Sequence, residues 1–232
     1  MKLIGLIGGV SPEATPIYYA HLNAAARAAL GGEHSARVLI YTLDYGVMIE
    51  HYHHGDWPAF IEEVVKGAKA LKAGGAEALV ICSNTTHVGA DAAAAETGLP
   101  LMHIMDALVD AMKAKDVRQP VLLGTPVVMS PGYYRDELGR RFSGELLIPS
   151  EEEKATIGRV ILDELVNGVV RDESRVALLE IVERHAAAGA DGVILGCTEL
   201  CMILEDGQGS IPIFDTTAIH AQAAARFQQA DG

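Results

Sequence analysis

Two stretches of the chain decide its fold. Ala73-Gly74-Gly75-Ala76-Glu77-Ala78-Leu79-Val80-Ile81-Cys82-Ser83-Asn84-Thr85 is answered 114 residues later by Ala187-Ala188-Gly189-Ala190-Asp191-Gly192-Val193-Ile194-Leu195-Gly196-Cys197-Thr198-Glu199. Each ends a short apolar strand and enters a helix. Three weaker matches keep the same order: Tyr18-Tyr19 with Tyr133-Tyr134, Gly8 with Gly124, and Leu99-Pro100-Leu101 with Ile211-Pro212-Ile213. One match alone would be chance. Four in order, at nearly half the chain length, predict a duplicated unit, with two similar halves related by a pseudo-twofold axis and a cleft between them.

Working outward, short apolar strands are predicted at residues 3–7, 38–43, 78–82, 101–104, 121–123, 145–148, 192–195 and 211–214. Ala-rich or amphipathic helices lie between them, including residues 12–30, 59–73, 151–166 and 174–188. Such alternation predicts an α/β fold with mainly parallel sheets flanked by helices. The strands are apolar throughout, as suits strands buried on both faces. The lobes are predicted as residues 1–98 plus 207–232 and residues 99–206.

Composition narrows the function. The chain has 232 residues, half of them apolar, which argues against disorder. Lys and Arg number 18 against 31 Asp and Glu, a net charge of −13. That disfavours nucleic acid or an anionic membrane as the main partner, because both need a basic face. No apolar run is long enough for a bilayer span. Gly5, Gly8 and Gly9 break the apolar N-terminus, which reads as a first strand and turn rather than a signal peptide. Three cysteines cannot all pair, so a reduced, cytoplasmic protein is expected.

Ligands of open α/β sheets bind beyond the carboxyl ends of the strands. Helix starts there offer unpaired N–H groups to an anion. Ser83-Asn84-Thr85-Thr86 and Cys197-Thr198-Glu199 are therefore placed to hold a carboxylate, with Asn84, Thr85 and Thr198 adding side-chain donors. The same residue types also suit plain helix capping. The repeat aligns Ser83 with Cys197 and Cys82 with Gly196. Cys82 then reads as a small buried hydrophobe, and Cys201, one turn past Cys197, as packing. Two groups on opposite walls of a cleft can take a proton from one face of a carbon and return one to the other. A thiol suits that task, and a helix start lowers its pKa toward the working range. The carbanion's charge would be shared by the N–H groups on the carboxylate.

The motifs Gly5-Leu6-Ile7-Gly8-Gly9 with Tyr18-Tyr19, Ser83-Asn84-Thr85-Thr86-His87 and Gly196-Cys197-Thr198-Glu199-Leu200 resemble the aspartate/glutamate racemase family. Glu199 after Cys-Thr resembles its aspartate-racemase branch. The resemblance implies a cofactor-independent amino-acid racemase with two Rossmann-like lobes, an active site between them, and a homodimer. It implies Cys197 and Ser83 as the catalytic pair. Val10, Ser11, Tyr52, Asn84, Thr85, Thr86, Thr125, Thr198 and Glu199 are the expected substrate-binding residues, with a small acidic amino acid as substrate. Two-thiol members carry cysteine where Ser83 stands, so an enzyme biased toward L-aspartate or L-glutamate is expected. The loop of residues 45–54 resembles the family's lid but lacks its arginine; Tyr52, His53 or His54 are the candidates to replace it, and a solvated surface loop is the alternative reading. A metal is not expected from these histidines, because no ligand spacing accompanies them, and no dinucleotide motif is present. His87 reads as a packed or capping histidine. The same fold also admits a single-thiol decarboxylase or isomerase of a small dicarboxylate, or a carboxylate-binding module without turnover.

Overall fold

The computed structural model describes residues 1–230. The chain divides into two compact units, one of residues Met1–Ile104 joined by the segment from His220 on, the other Met105–Ile219. The first unit runs β1 (Ile4–Gly8), α1 (Ala14–Leu30), β2 (Val38–Thr42), α2 (Tyr45–His54), α3 (Trp57–Ala73), β3 (Ala78–Ile81), α4 (Ala90–Thr97) and β4 (Leu101–Met102). Helix α5 (Ile104–Ala114) begins on its last residue. The second unit holds β5 (Pro120–Leu123), α6 (Pro126–Met129), α7 (Tyr133–Arg141), α8 (Glu151–Arg159), α9 (Asp172–Ala187), β6 (Gly192–Leu195) and β7 (Ile213–Asp215). Helix α10 (Thr216–Gln229) starts there and ends in the first unit.

Both sheets are parallel, ordered β2-β1-β3-β4 and β5-β6-β7. The duplication is written into their registers. Ile4 pairs with Ala78 in the first sheet, and their repeat counterparts Pro120 and Gly192 pair in the second. Leu79 pairs with Leu101, and Val193 with Ile213. The predicted fold class is the observed one.

Side chains alternate as parallel strands covered on both faces require. Ile4, Leu6, Ala78, Val80 and Cys82 pack with Tyr18 and Leu22 of α1 and Ala221 and Ala224 of α10. Ile7, Leu79 and Ile81 pack on the other face with Phe60, Val64 and Ala68 of α3 and Ala90 and Ala93 of α4. The C-terminal turn of α10 is tied to the first unit by Gln228, whose Nε2 donates to the carbonyls of Lys2 (3.0 Å) and Arg37 (2.7 Å).

Several local expectations change. Residues 145–148 form one parallel bridge, Leu147 to Val121, rather than a strand. They are bounded by Gly144 and Pro149, which leave little room to extend a ladder. The helix predicted over 151–166 stops being α-helical at Arg159, passes through a π-helical turn at Val160–Glu164 and closes in a 3₁₀ turn at Leu165–Asn167. The lobe boundaries also move. Leu101, given to the second lobe, pairs with β3 in the first sheet, while Ile213, given to the first, pairs with β6. Each chain crossing therefore follows its last strand and falls at the start of α5 or within α10. Strand pairing is non-local, and an apolar tripeptide carries no mark of the sheet it joins.

Candidate functional site

The first strand-end site begins where β3 stops. Cys82 is fully buried in the core, as its parity requires, and burial pushes its thiol well above the usual range. Ser83 follows, buried, its hydroxyl oxygen accepting the N–H of Thr86 at 3.4 Å. This bond lies over the start of the 3₁₀ turn Thr85–Gly89, whose N-cap is Asn84, and it uses a lone pair of the Ser83 oxygen rather than its hydroxyl proton. Asn84 and Thr86 are buried in the same turn, and Thr85 is half-buried. The Thr86 hydroxyl oxygen is buried with no hydrogen-bond partner among the described residues. His87 is fully buried in this turn and hydrogen-bonded through both ring nitrogens, a packed histidine as expected.

The turn after β1 lies in the same unit. Gly9 has φ +92°, a left-handed conformation that suits glycine, and its N–H donates to Thr15 Oγ1 at 3.0 Å. A side chain at Gly9 would run into the main chain of Leu43. Val10 packs on the apolar cluster under α3, and Ser11 is buried.

The expected lid is a helix. Asp44 caps α2, accepting from Gly46 N (2.8 Å), and Gly55 ends it in the left-handed conformation. An Asp start and a Gly stop were visible in the sequence but were read as loop. Tyr52 belongs to an aromatic row, with Trp57 edge-on at 5.8 Å and Trp57 against Phe60 at 5.6 Å, and its ring packs on the core. His53 and His54 are exposed at the end of α2.

The second strand-end site begins where β6 stops. Gly196 is closely overhung by Leu122 and Val128, so the strand end can only be this small. Cys197 then precedes the 3₁₀ turn Thr198–Met202. Its thiol donates to Glu199 Oε2 at 2.9 Å, and the Thr198 hydroxyl donates to the same oxygen at 2.8 Å. All three residues are buried. The structure overturns the expectation of a lowered thiol pKa. Burial first, and the Glu199 charge and hydrogen bond next, raise Cys197 well above its ordinary value. A single 3₁₀ turn aligns too few peptide dipoles to offset a lost hydration shell and an adjacent carboxylate. Glu199, expected to bind substrate, is engaged by the thiol itself, a relation hidden in the sequence because a two-residue spacing says nothing of where the side chains turn. Cys201 is half-buried and donates to the Thr198 carbonyl at 3.0 Å; burial pushes its thiol up to about 12.

Thr125 stands at the end of β5 and precedes α6, half-buried, with a hydroxyl oxygen that is buried and finds no partner among the described residues. The sequence reading missed Tyr134, whose hydroxyl is likewise buried without a partner there. The Tyr133-Tyr134 match in the repeat was the available signal. Among the described residues no group of three or more His, Cys, Asp or Glu side chains is arranged to hold a metal. No described helix is long and apolar enough to cross a membrane.

Two α/β units of matching register, each carrying a polar turn at the end of its repeated strand, define a duplicated α/β protein with a buried thiol–carboxylate hydrogen bond at one strand end. The chain belongs to the Asp/Glu/hydantoin racemase family, whose model matches residues 7–224. The family is one of isomerases. The chain is 38% identical to a candidate Asp/Glu racemase of known structure from Yersinia pestis, over 99% of this chain and 100% of that one, with a TM-score of 0.92. It is 30% identical to an aspartate racemase homologue from Pyrococcus horikoshii, over 99% and 100% of the two chains, with a TM-score of 0.88. It is also similar to the broad specificity amino-acid racemase RacX of Bacillus subtilis, 22% identical over 160 residues, which cover 69% of this chain and 68% of that protein.

Proposed function

We propose that this protein is a cofactor-independent racemase of acidic amino acids that works preferentially from L-aspartate or L-glutamate. The observation that carries the reading is the 2.9 Å thiol-to-carboxylate hydrogen bond between Cys197 and Glu199. In the resting protein the raised pKa keeps the thiol protonated. On binding, the ammonium group of the amino acid brings a positive charge that favours thiolate. The Sγ proton passes to Glu199, and the thiolate removes the Cα proton. The electron pair left on Cα delocalises into the α-carboxylate. Asn84, Thr85 and Thr198 would hold that group through N–H and side-chain donors, and the buried hydroxyl oxygens of Thr86 and Thr125 are further partners for substrate polar atoms. Ser83 donates its hydroxyl proton to the opposite face of Cα and recovers one from water, while Glu199 releases its extra proton. The chemistry needs no cofactor.

Ser83 is a far weaker acid than a thiol, so the two directions are unequal. Proton removal from the L-enantiomer falls to Cys197, and the reverse reaction would ask Ser83 to act as a base. Acidic substrates rest on the family's description and on the resemblance of the three motifs. A homodimer, by the same resemblance, completes the reading; three cysteines that cannot all pair favour the cytoplasm, and the net charge of −13 disfavours a nucleic acid or membrane partner.

The test is exchange in D₂O. L-Aspartate and L-glutamate, with neutral and basic amino acids in parallel, are followed for loss of the Cα proton by NMR and for inversion by chiral chromatography. Exchange with inversion of an acidic substrate is the expected result. Exchange without inversion means that Cys197 works and Ser83 does not. No exchange with any amino acid, with carbon dioxide released from a substituted malonate, would move the protein to the decarboxylase reading; binding without either reaction would make it a carboxylate-binding module.

A further inference from the structure

His87 Nδ1 lies 2.7 Å from the carbonyl oxygen of Ser83, and its Nε2 lies 3.1 Å from the N–H of Ile104. A carbonyl can only accept and an amide N–H can only donate. Nδ1 must therefore carry the proton and Nε2 the lone pair. Two main-chain groups thus fix one neutral tautomer. The ring is fully buried and sits beside two more imidazoles, His103 at 4.6 Å and His220 at 5.4 Å between centroids. His220 is held in the same way, between the Tyr18 hydroxyl (2.8 Å) and the Met102 carbonyl (2.9 Å). The stack therefore has little room to turn, and the His87 ring spans the main chain from Ser83 to Ile104, where α5 begins.

We propose that His87 is a positioning residue for Ser83, and that its Nδ1–H bond to the Ser83 carbonyl holds the hydroxyl where it can deliver a proton to substrate. This rests on the racemase reading above. Among the described residues the Ser83 hydroxyl has one hydrogen bond to the backbone, from Thr86 N at a long 3.4 Å, which is a weak restraint by itself. The shorter bond at the carbonyl fixes the main chain that carries it. The thiol of Cys197 is held differently, by its hydrogen bond to Glu199. Loss of the His87 bond should therefore weaken one proton-transfer step and spare the other.

The two ring nitrogens can be separated by substitution. In His87→Asn the side-chain amide N–H replaces Nδ1–H and keeps the Ser83 bond. In His87→Gln the amide oxygen replaces Nε2 and keeps the Ile104 bond, while the Ser83 bond is lost. Deuterium exchange at Cα is read separately for the L- and D-enantiomers of the same acidic amino acid. His87→Gln is expected to slow exchange of the D-enantiomer at least about tenfold relative to that of the L-enantiomer, and His87→Asn to restore the ratio to within about threefold. A D-to-L ratio unchanged in His87→Gln, or moved equally by both variants, overturns the proposal. Nitrogen-15 spectra of the wild-type imidazoles give an independent reading: His87 is expected as the Nδ1–H tautomer, and an Nε2–H tautomer overturns the proposal whatever the kinetics. Wild type without exchange of either enantiomer overturns the racemase reading and this role with it. Exchange with an unmoved ratio overturns only the role of His87.

Discussion

Glu199 accepts hydrogen bonds from both the thiol of Cys197 and the hydroxyl of Thr198 on a single carboxylate oxygen. The carboxylate has two opposed effects. It raises the thiol's pKa, which makes the thiolate scarce, and it offers the place for the thiol's proton to go.

Those effects separate in Glu199→Gln. Removing the negative charge lowers the Cys197 pKa, even though the amide oxygen can still accept a hydrogen bond, so the thiol should be alkylated by iodoacetamide faster than in wild type at pH 8. Turnover should fall by roughly 10²–10⁴-fold, the range for loss of a proton-transfer partner. Mass spectrometry locates the alkylated cysteine. Slower alkylation in the variant would contradict the assignment of Glu199 as the group that holds the thiol proton.

The wild-type thiol has a pKa raised above its ordinary value, so its alkylation should be slow at pH 7 and accelerate as pH climbs into the alkaline range. Cys82 should remain unmodified in the folded protein at every pH, since it is fully buried in the core. An acidic substrate present in excess should protect Cys197. Rapid labelling of Cys82 without unfolding would show that the cluster around β3 opens.

Ser83→Cys replaces a weak acid by a thiol. Turnover of D-aspartate or D-glutamate should rise relative to the L-enantiomer, narrowing the directional bias. Ser83→Ala should leave L-substrate exchange without inversion. Equal rates on both enantiomers in wild type would remove the asymmetry on which this prediction stands.

His220 is buried and neutral, and burial lowers its pKa to about 4 from an ordinary 6.5. Because the unfolded chain binds the proton more readily, stability is greatest above pH 6.5 and declines as pH falls toward 4. The loss from this one group is about 3 kcal/mol over that window. Urea unfolding at pH 7 and pH 4.5 measures it. In His220→Gln the pH slope should be shallower, even though the variant is less stable at both values.

Gly9→Ala should destabilise the first unit by about 3 kcal/mol or more, through its positive φ and the collision with the Leu43 main chain. Thermal unfolding reads the loss. Gly207→Ala is the control, with a positive φ but open space around its Cβ, and should cost less.

Much of this was legible in the residues. The repeat predicted two sheets of matching register because a parallel strand buried on both faces leaves a continuous apolar run, and a duplication copies it with its polar turn. Cys82 was placed in the core by the repeat, which aligns it with Gly196, and by the alternation of side chains along a strand, together with the usual burial of a free cysteine. The lid was misread because its strongest signals, an Asp cap and a Gly stop on either side of ten residues, flank a helix with one buried side chain, Met48, and little periodicity. Residues 145–148 do pair along β5, where the N–H groups of Glu145 and Leu147 donate to the carbonyls of Arg118 (2.8 Å) and Pro120 (2.9 Å), but Gly144 and Pro149 confine the pairing to one bridge.

The sequence by itself determined the fold class and the two strand-end turns, and its repeat aligned Ser83 with Cys197 in register, all of which follow from local chemistry repeated in order. Tertiary structure alone decided the rest. It put β4 and β7 in their sheets, set Glu199 on the thiol and His87 on Ser83, and turned Cys197 from an acidified thiol into a protonated one. The reason is physical. Strand pairing and pKa depend on what lies nearby in space, on burial and on charge, and one residue's neighbours in a fold are mostly remote along its chain.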